Sequence, residues 1–349
     1  MNADYSIVPP RGQTQNSPTP NQEADMTNNS RWIALLGLCA AMAASANTAY
    51  PERPITLVVA YPAGGSTDTV ARKWGEELGR QLGQPVVIEN LGGAGGMIGA
   101  RKVAQAPADG YTLLLGAVNE VVLSPLTNKS APYRTADFKP VGIVGASPVV
   151  LLTGMGKPYR SLKDIAASGA SGKARLSYGT PGRGTFQHIV MHALATRLKT
   201  DLLHIPYKGG APFVTDLMGG QIDLILLPTV TALPNIAGDK MRALAVSSLL
   251  RLESAPALPT FAESLPALRD FDFSIWAGLF APRGTPAPIV ERLNKALREA
   301  HQSESVQAFI RASGMATPPF GLSVDGAQRY LEADERKYRA IVPGMNLDE

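Results

Sequence analysis

Residues 55–68 read Ile55-Thr56-Leu57-Val58-Val59-Ala60-Tyr61-Pro62-Ala63-Gly64-Gly65-Ser66-Thr67-Asp68, and a helical pattern follows at once. The apolar, β-branched run Ile55–Val59 has the character of a strand buried on both faces. Pro62, Gly64 and Gly65 end it. Beyond Ser66 and Thr67, Val70, Ala71, Trp74, Leu78 and Leu82 recur at close to 3.6 residues. Ser66 or Thr67 suits the N-cap, and Asp68 suits the first turn, where the helix dipole favours a negative charge. Strand, glycine turn and helix N-terminus together form a junction able to accept an anionic oxygen. Taken alone, it is equally a turn that binds nothing.

The same pattern occurs a second time. Leu176-Ser177-Tyr178 leads into Gly179-Thr180-Pro181-Gly182-Arg183-Gly184-Thr185, and a helix is expected over Phe186–Lys199. Between the two junctions lie further strands at 85–90 and 111–116, the latter running out through Ala117-Val118-Asn119. Two more are expected at 138–145 and 148–152. After the second junction come strands at 203–207, 222–227 and 242–247 and a helix over 211–218. Alternation of strand and helix implies an α/β fold with parallel sheets and right-handed crossovers. From Phe273–Phe280 onward one strand is followed only by periodic helices, at 288–302, 305–313 and 324–340. Such a tail packs most simply on the first sheet. The expected organisation is therefore a discontinuous first lobe, 50–147 with 272–349, and a second lobe, 148–271, crossed near 145–150 and 265–275.

The 349-residue chain has 45% apolar residues and a formal charge of +4; two Arg against three acids in residues 1–49 leave +5 for the remainder. The charge is evenly spread, without the basic cluster of a nucleic-acid binder. Residues 1–30 are polar and aperiodic, and disorder is expected there. Arg31, the apolar stretch Trp32–Ala44 and small residues at 44–49 read as a signal peptide cleaved after Ala46 or Ala49, with Met26 a fitting start. Cys39, the single cysteine, falls inside it, so the mature chain has no thiol chemistry. An exported, periplasmic protein is expected.

Catalytic constellations are sparse. Gly92-Gly93-Ala94-Gly95-Gly96 has the wrong spacing for a dinucleotide loop, and no Gly-Lys-Ser/Thr follows Gly65. There is no G-x-S-x-G elbow. His188 and His192 stand at i and i+4, but Ile189 occupies the place a zincin gives to Glu, so both read as ordinary helix residues. Asp68 and Asp223 remain as acids near the turns. They leave an α/β hydrolase or lyase as an alternative to binding. Two glycine turns at helix N-termini suit a carboxylate held between lobes through backbone N–H groups, with Tyr61 and Tyr207 as walls. The candidate binding residues are Tyr61, Ala63, Gly64, Gly65, Thr67, Asp68, Asn119, Thr180, Gly182, Arg183, Gly184, Thr185, Tyr207 and Asp223. No cofactor, metal or nucleic acid is expected.

Motifs across the mature chain resemble one family in its own order. They are Tyr50-Pro51-Glu52-Arg53-Pro54-Ile55, Tyr61–Asp68, Asn90–Gly96, Ala106–Leu113, Pro206–Ala211, Gly220–Asp223 and Ala281–Pro286. Together these resemble the tripartite tricarboxylate transporter receptors, the Bug-type periplasmic binding proteins. The resemblance implies a type II periplasmic-binding fold, with two α/β lobes of mainly parallel sheet and two crossing strands. It implies a carboxylate-bearing ligand held by the loops at 61–68 and 180–185, and no catalysis. Membrane transporter subunits are the implied partners, with presentation to a sensor kinase as an alternative; a monomer is expected. Arg183 stands where the family more usually has a small residue. Pointing inward it would pair with a second acidic group of the ligand; pointing outward it is a rim charge.

Overall fold

The structure is a computed structural model that describes residues 50–170, 175–207, 210–318, 321–345 and 347. The leader, its expected signal peptide and Cys39 lie outside the described residues, as does Lys208-Gly209. Among the described residues, nine strands form one sheet. They are β1 (Ile55–Val59), β2 (Val86–Asn90), β3 (Thr112–Ala117), β4 (Phe138–Gly154) and β5 (Leu176–Thr180). β6 (Leu202–Pro206), β7 (Leu224–Pro228), β8 (Met241–Val246) and β9 (Ser274–Pro282) complete the set. The helices are α1 (Ser66–Leu82), α2 (Met97–Ala104), α3 (Ser124–Thr127), α4 (Leu162–Ala170), α5 (Phe186–Leu198) and α6 (Gly210–Met218). Next come α7 (Thr229–Ala237), α8 (Phe261–Ser264), α9 (Ala287–Gln302), α10 (Glu304–Ser313) and α11 (Val324–Ile341).

The strand order is β2-β1-β3-β9-β4-β7-β5-β6, with β8 on β4. β1 pairs parallel with β2 and β3, and β5 pairs parallel with β6 and β7. β4 and β9 run antiparallel to all their neighbours, so the sheet is less uniformly parallel than the alternation of strand and helix suggests. The two strands expected over 138–152 are one strand of 17 residues. Pro148, which marks a break in the sequence, sits where β4 changes partner: it lies opposite Ser274 of β9, and Val149 already lies opposite Pro228 of β7. A missing N–H costs little at such a hand-over, and Ser247 Oγ supports the next residue by accepting from Val149 N at 2.9 Å.

Burial on both faces of β1 is literal. Ile55, Leu57 and Val59 pack into one apolar cluster, and Val58 and Ala60 into another. The first cluster joins Trp74 and Leu78 of α1 to Leu293 and Leu297 of α9, so the helical tail packs back on the first strands. Truncating a buried leucine here, such as Leu57, to alanine would cost about 2–5 kcal/mol. Because β1, β2 and β3 are parallel, the segments after Val59, Asn90 and Ala117 all leave from one edge. The segments after β5, β6 and β7 do the same. Ligand sites of α/β proteins gather at such carboxyl edges.

Candidate functional site

The first turn is braced from within by one carboxylate, while the Gly65, Ser66 and Thr67 amides have no acceptor among the described residues. Gly64, at φ +84°, is in the left-handed region, and its N–H donates to Asp68 Oδ2 at 2.8 Å. Asp68, only 2% exposed, also accepts from Arg72 Nε and Asn90 Nδ2, both at 2.9 Å. Burial pushes this carboxyl up, but the Arg72, Gly64 and Asn90 donors outweigh burial and hold it below the usual range. Ser66 and Thr67, at the N-terminus of α1, border a cavity of about 30 Å³ with Ser147 and Trp276. That is room for water and too little for a solute. Tyr61 turns its hydroxyl away, donating to Glu120 Oε2 at 2.7 Å.

Glu120, absent from the sequence candidates, is fully buried in a π-helical turn (Asn119–Leu123) after β3. It accepts Ala117 N at 2.5 Å as well as the Tyr61 hydroxyl, and its carbonyl accepts from Tyr133 Oη at 2.6 Å. Burial, opposed by those donors to its carboxylate, pushes its pKa up to about 7. Its neighbour Asn119 faces the other junction: Oδ1 accepts from Phe186 N at 2.7 Å, capping α5 across 67 residues of chain.

The second turn is built from neutral acceptors. Gly182 N donates to Thr180 Oγ1 at 3.2 Å, and Thr185 Oγ1 donates to the Gly182 carbonyl at 2.8 Å. Gly184 N donates to His188 Nδ1 at 3.0 Å, and Thr180 Oγ1 lies 2.6 Å from His204 Nε2. This turn borders a cleft of about 490 Å³, within the range of small-molecule sites. Residues 181–185 form one side; Gly95 and Met97, Asn119 and the segment 124–130 form others. Among the described residues, Lys129 and Arg183 are its two ionisable lining residues, both exposed, and neither has an ion-pair partner. No acid lines the cleft among the described residues.

The structure thus brings Asn119, Gly182, Arg183, Gly184 and Thr185 together on one cleft, with Thr180 directly behind them. Thr67 borders the separate small cavity, and neither space is lined by Ala63, Gly64 or Gly65. Tyr61 and Tyr207 are not walls of the cleft: Tyr207 Oη donates to Asp216 Oδ2 at 2.6 Å, and its N–H to the Thr180 carbonyl at 2.9 Å. Asp223 is at the wrong edge. It immediately precedes β7, where it accepts Lys157 Nζ at 2.6 Å and both the N–H and hydroxyl of Ser177 at 2.9 Å. Burial raises its pKa, and Lys157 and Ser177 more than reverse that. It braces the start of β5. Lys129 and the 124–130 segment carry no periodic or motif signal that sequence reading could use. His188 was visible in the sequence, but its partner was not.

The sequence from residue 70 to residue 347 matches the model of the tripartite tricarboxylate transporter family receptor. The protein BugT of Bordetella pertussis is 38% identical over 324 residues, spanning 90% of this chain and 97% of BugT. The solved periplasmic binding protein BugD is 34% identical with a TM-score of 0.77, covering 84% of this chain and 98% of that one. MatC from Rhodopseudomonas palustris, solved with bound malate, is 32% identical with a TM-score of 0.77, covering 84% of this chain and all of that one. With a matching arrangement of α/β sheet and helices in the periplasmic-binding fold, the chain belongs to the tripartite tricarboxylate transporter receptor family.

Proposed function

We propose that this chain is a non-catalytic periplasmic receptor that takes a small dicarboxylate into the cleft at 181–185 and delivers it to the membrane subunits of a tripartite transporter. The observation behind this reading is the charge of the cleft among the described residues: two cations without an ion-pair partner, Lys129 and Arg183, and no acid, beside the turn whose Arg183 and Thr185 amides have no acceptor there. One carboxylate of the ligand takes those amides, and the second takes the cations, with Arg183 suited to bidentate pairing. Malate in MatC is a ligand of this kind. Asp68 and Asp223, which an enzymatic reading would require as bases, are each held by three or more donors. We assign the lobes as 50–147 with 272–349, and 148–271; the partner change at Pro148 supports β4 as one hinge. The monomer closes by rotation at that strand when ligand bridges the lobes.

A thermal-shift series tests this. Succinate, malate, glutarate and adipate are each compared with butyrate, 3-hydroxybutyrate and hexanoate. A dicarboxylate at 100 times its dissociation constant stabilises by about 2.7 kcal/mol, and the monoacids shift the transition far less. Equal shifts with mono- and diacids, or none with either, would contradict the proposal.

A further inference from the structure

His188 and His192 of the His188-Ile189-Val190-Met191-His192 run belong to no group of three metal-ligating side chains among the described residues, and the structure gives the first histidine a different use. His188 is 6% exposed, and its ring stacks on His204 with centroids 3.9 Å apart and planes at 12°. His204 stacks in turn on Tyr178 at 5.0 Å. Both imidazoles point at the second turn: His188 Nδ1 accepts the Gly184 N–H at 3.0 Å, and His204 Nε2 meets Thr180 Oγ1 at 2.6 Å. Three amides of the turn are thereby taken by the protein itself, Gly182 by Thr180, Gly184 by His188 and Phe186 by Asn119. The two between them, Arg183 and Thr185, belong to residues that line the cleft and have no acceptor among the described residues.

We propose that His188 is a positioning residue for ligand binding: by holding the Gly184 amide it fixes the turn so that the Arg183 and Thr185 amides are the donors left for a carboxylate. This rests on the reading of the 181–185 cleft as the ligand site. The role requires a neutral ring with Nδ1 bare and the proton on Nε2, because a protonated imidazole would set one N–H against another. Burial, His204, His192 and Arg183 all push the His188 pKa down, to about 3, so the ring is neutral throughout the working range. Little slack exists at Gly184. It lies at φ +69°, and a Cβ there would meet Thr127 Oγ1 at 2.7 Å, so losing the His188 bond moves the turn against α3.

Two substitutions separate this role from simple packing. His188→Asn keeps an acceptor one bond beyond Cγ and discards the ring; His188→Phe keeps the stacked ring and discards the acceptor. Calorimetric titration with malate and adipate should show His188→Asn within about threefold of the wild type and His188→Phe weakened about tenfold, the effect of one net hydrogen bond. The reverse order would make His188 a packing residue and overturn the proposal. ¹⁵N spectra of the unliganded wild type at pH 7 provide a readout independent of either variant's folding. His188 Nδ1 should resonate as an unprotonated nitrogen with through-bond coupling to the Gly184 amide; a protonated Nδ1 overturns the proposal. Failure of the wild type to bind either diacid would instead overturn the ligand reading, while the nitrogen spectra still decide the hydrogen bond.

Discussion

The two glycine turns begin from the same sequence logic and end in opposite chemistry. The turn at 61–68 is braced by acids: Asp68 holds Gly64 from within, and Glu120 holds the Tyr61 hydroxyl. The turn at 180–185 is braced by neutral acceptors, Thr180, His188 and Asn119, and presents a cation, Arg183. Space follows the same division, about 30 Å³ beside the first and 490 Å³ beside the second. A helix N-terminus after a glycine turn is therefore not enough to make an anion site. Both turns keep amides without an acceptor among the described residues, Gly65 to Thr67 in the first and Arg183 and Thr185 in the second; what differs is the buried carboxylate inside the first and the room in front of the second.

The largest expected effect removes the built-in anion of the first turn. Asp68→Ala leaves the Gly64 amide, Asn90 and Arg72 without their acceptor and should cost about 4 kcal/mol in urea unfolding at pH 7. The folded fraction should still bind dicarboxylate within about threefold. A large loss of affinity with little loss of stability would reverse the roles assigned to the two turns. The stability from Asp68 is present above the unfolded pKa of about 3.9 and is lost as pH falls through its lower folded pKa, so the gap between wild type and variant should close in acid.

Glu120 has the opposite sign. Its folded pKa of about 7 lies above the unfolded value, so its contribution is full below about pH 4.3 and is lost as pH rises through 7. Between those limits the wild type should lose about 3 kcal/mol through this group, and Glu120→Gln should flatten that slope. An unchanged slope would mean the first turn is not braced by a buried acid.

Next in size is the contrast between glycines. Gly184→Ala places a side chain at φ +69° and 2.7 Å from Thr127 Oγ1, and should weaken binding about a hundredfold. Gly65→Ala, whose nearest contact would be the Pro62 carbonyl at 3.6 Å, should bind within about threefold of the wild type. Equal losses would restore both turns to the site. The smallest effect belongs to Arg183→Ala, which should weaken adipate about tenfold and leave hexanoate unchanged, read by calorimetry at two salt concentrations.

Much of this architecture was legible because its signals are local. The β-branched run at 55–59, the glycines at 64–65 and 182–184, and the 3.6-residue periods of α1, α9 and α11 each specify an element within a dozen residues. The family motifs then name the fold. Pairing across distance was not legible. Asp223 looked like a site acid until Lys157 and Ser177, 66 and 46 residues away, claimed it. The Asn119–Phe186 bond spans 67 residues, and Lys129 sits in a polar segment without periodicity. His188 is four residues from the amide it holds, but only its rotamer shows that it turns back toward Gly184 and not outward along the helix.

Amide chemical shifts of the ¹⁵N-labelled protein, titrated with adipate, test the account most directly, because they report each turn separately in one experiment. The account predicts that saturation moves the Arg183 and Thr185 amides most, as they acquire a charged acceptor, and leaves those of Ala63–Thr67 near their unliganded positions. Largest shifts at Ala63–Thr67, with 182–185 unmoved, would contradict it.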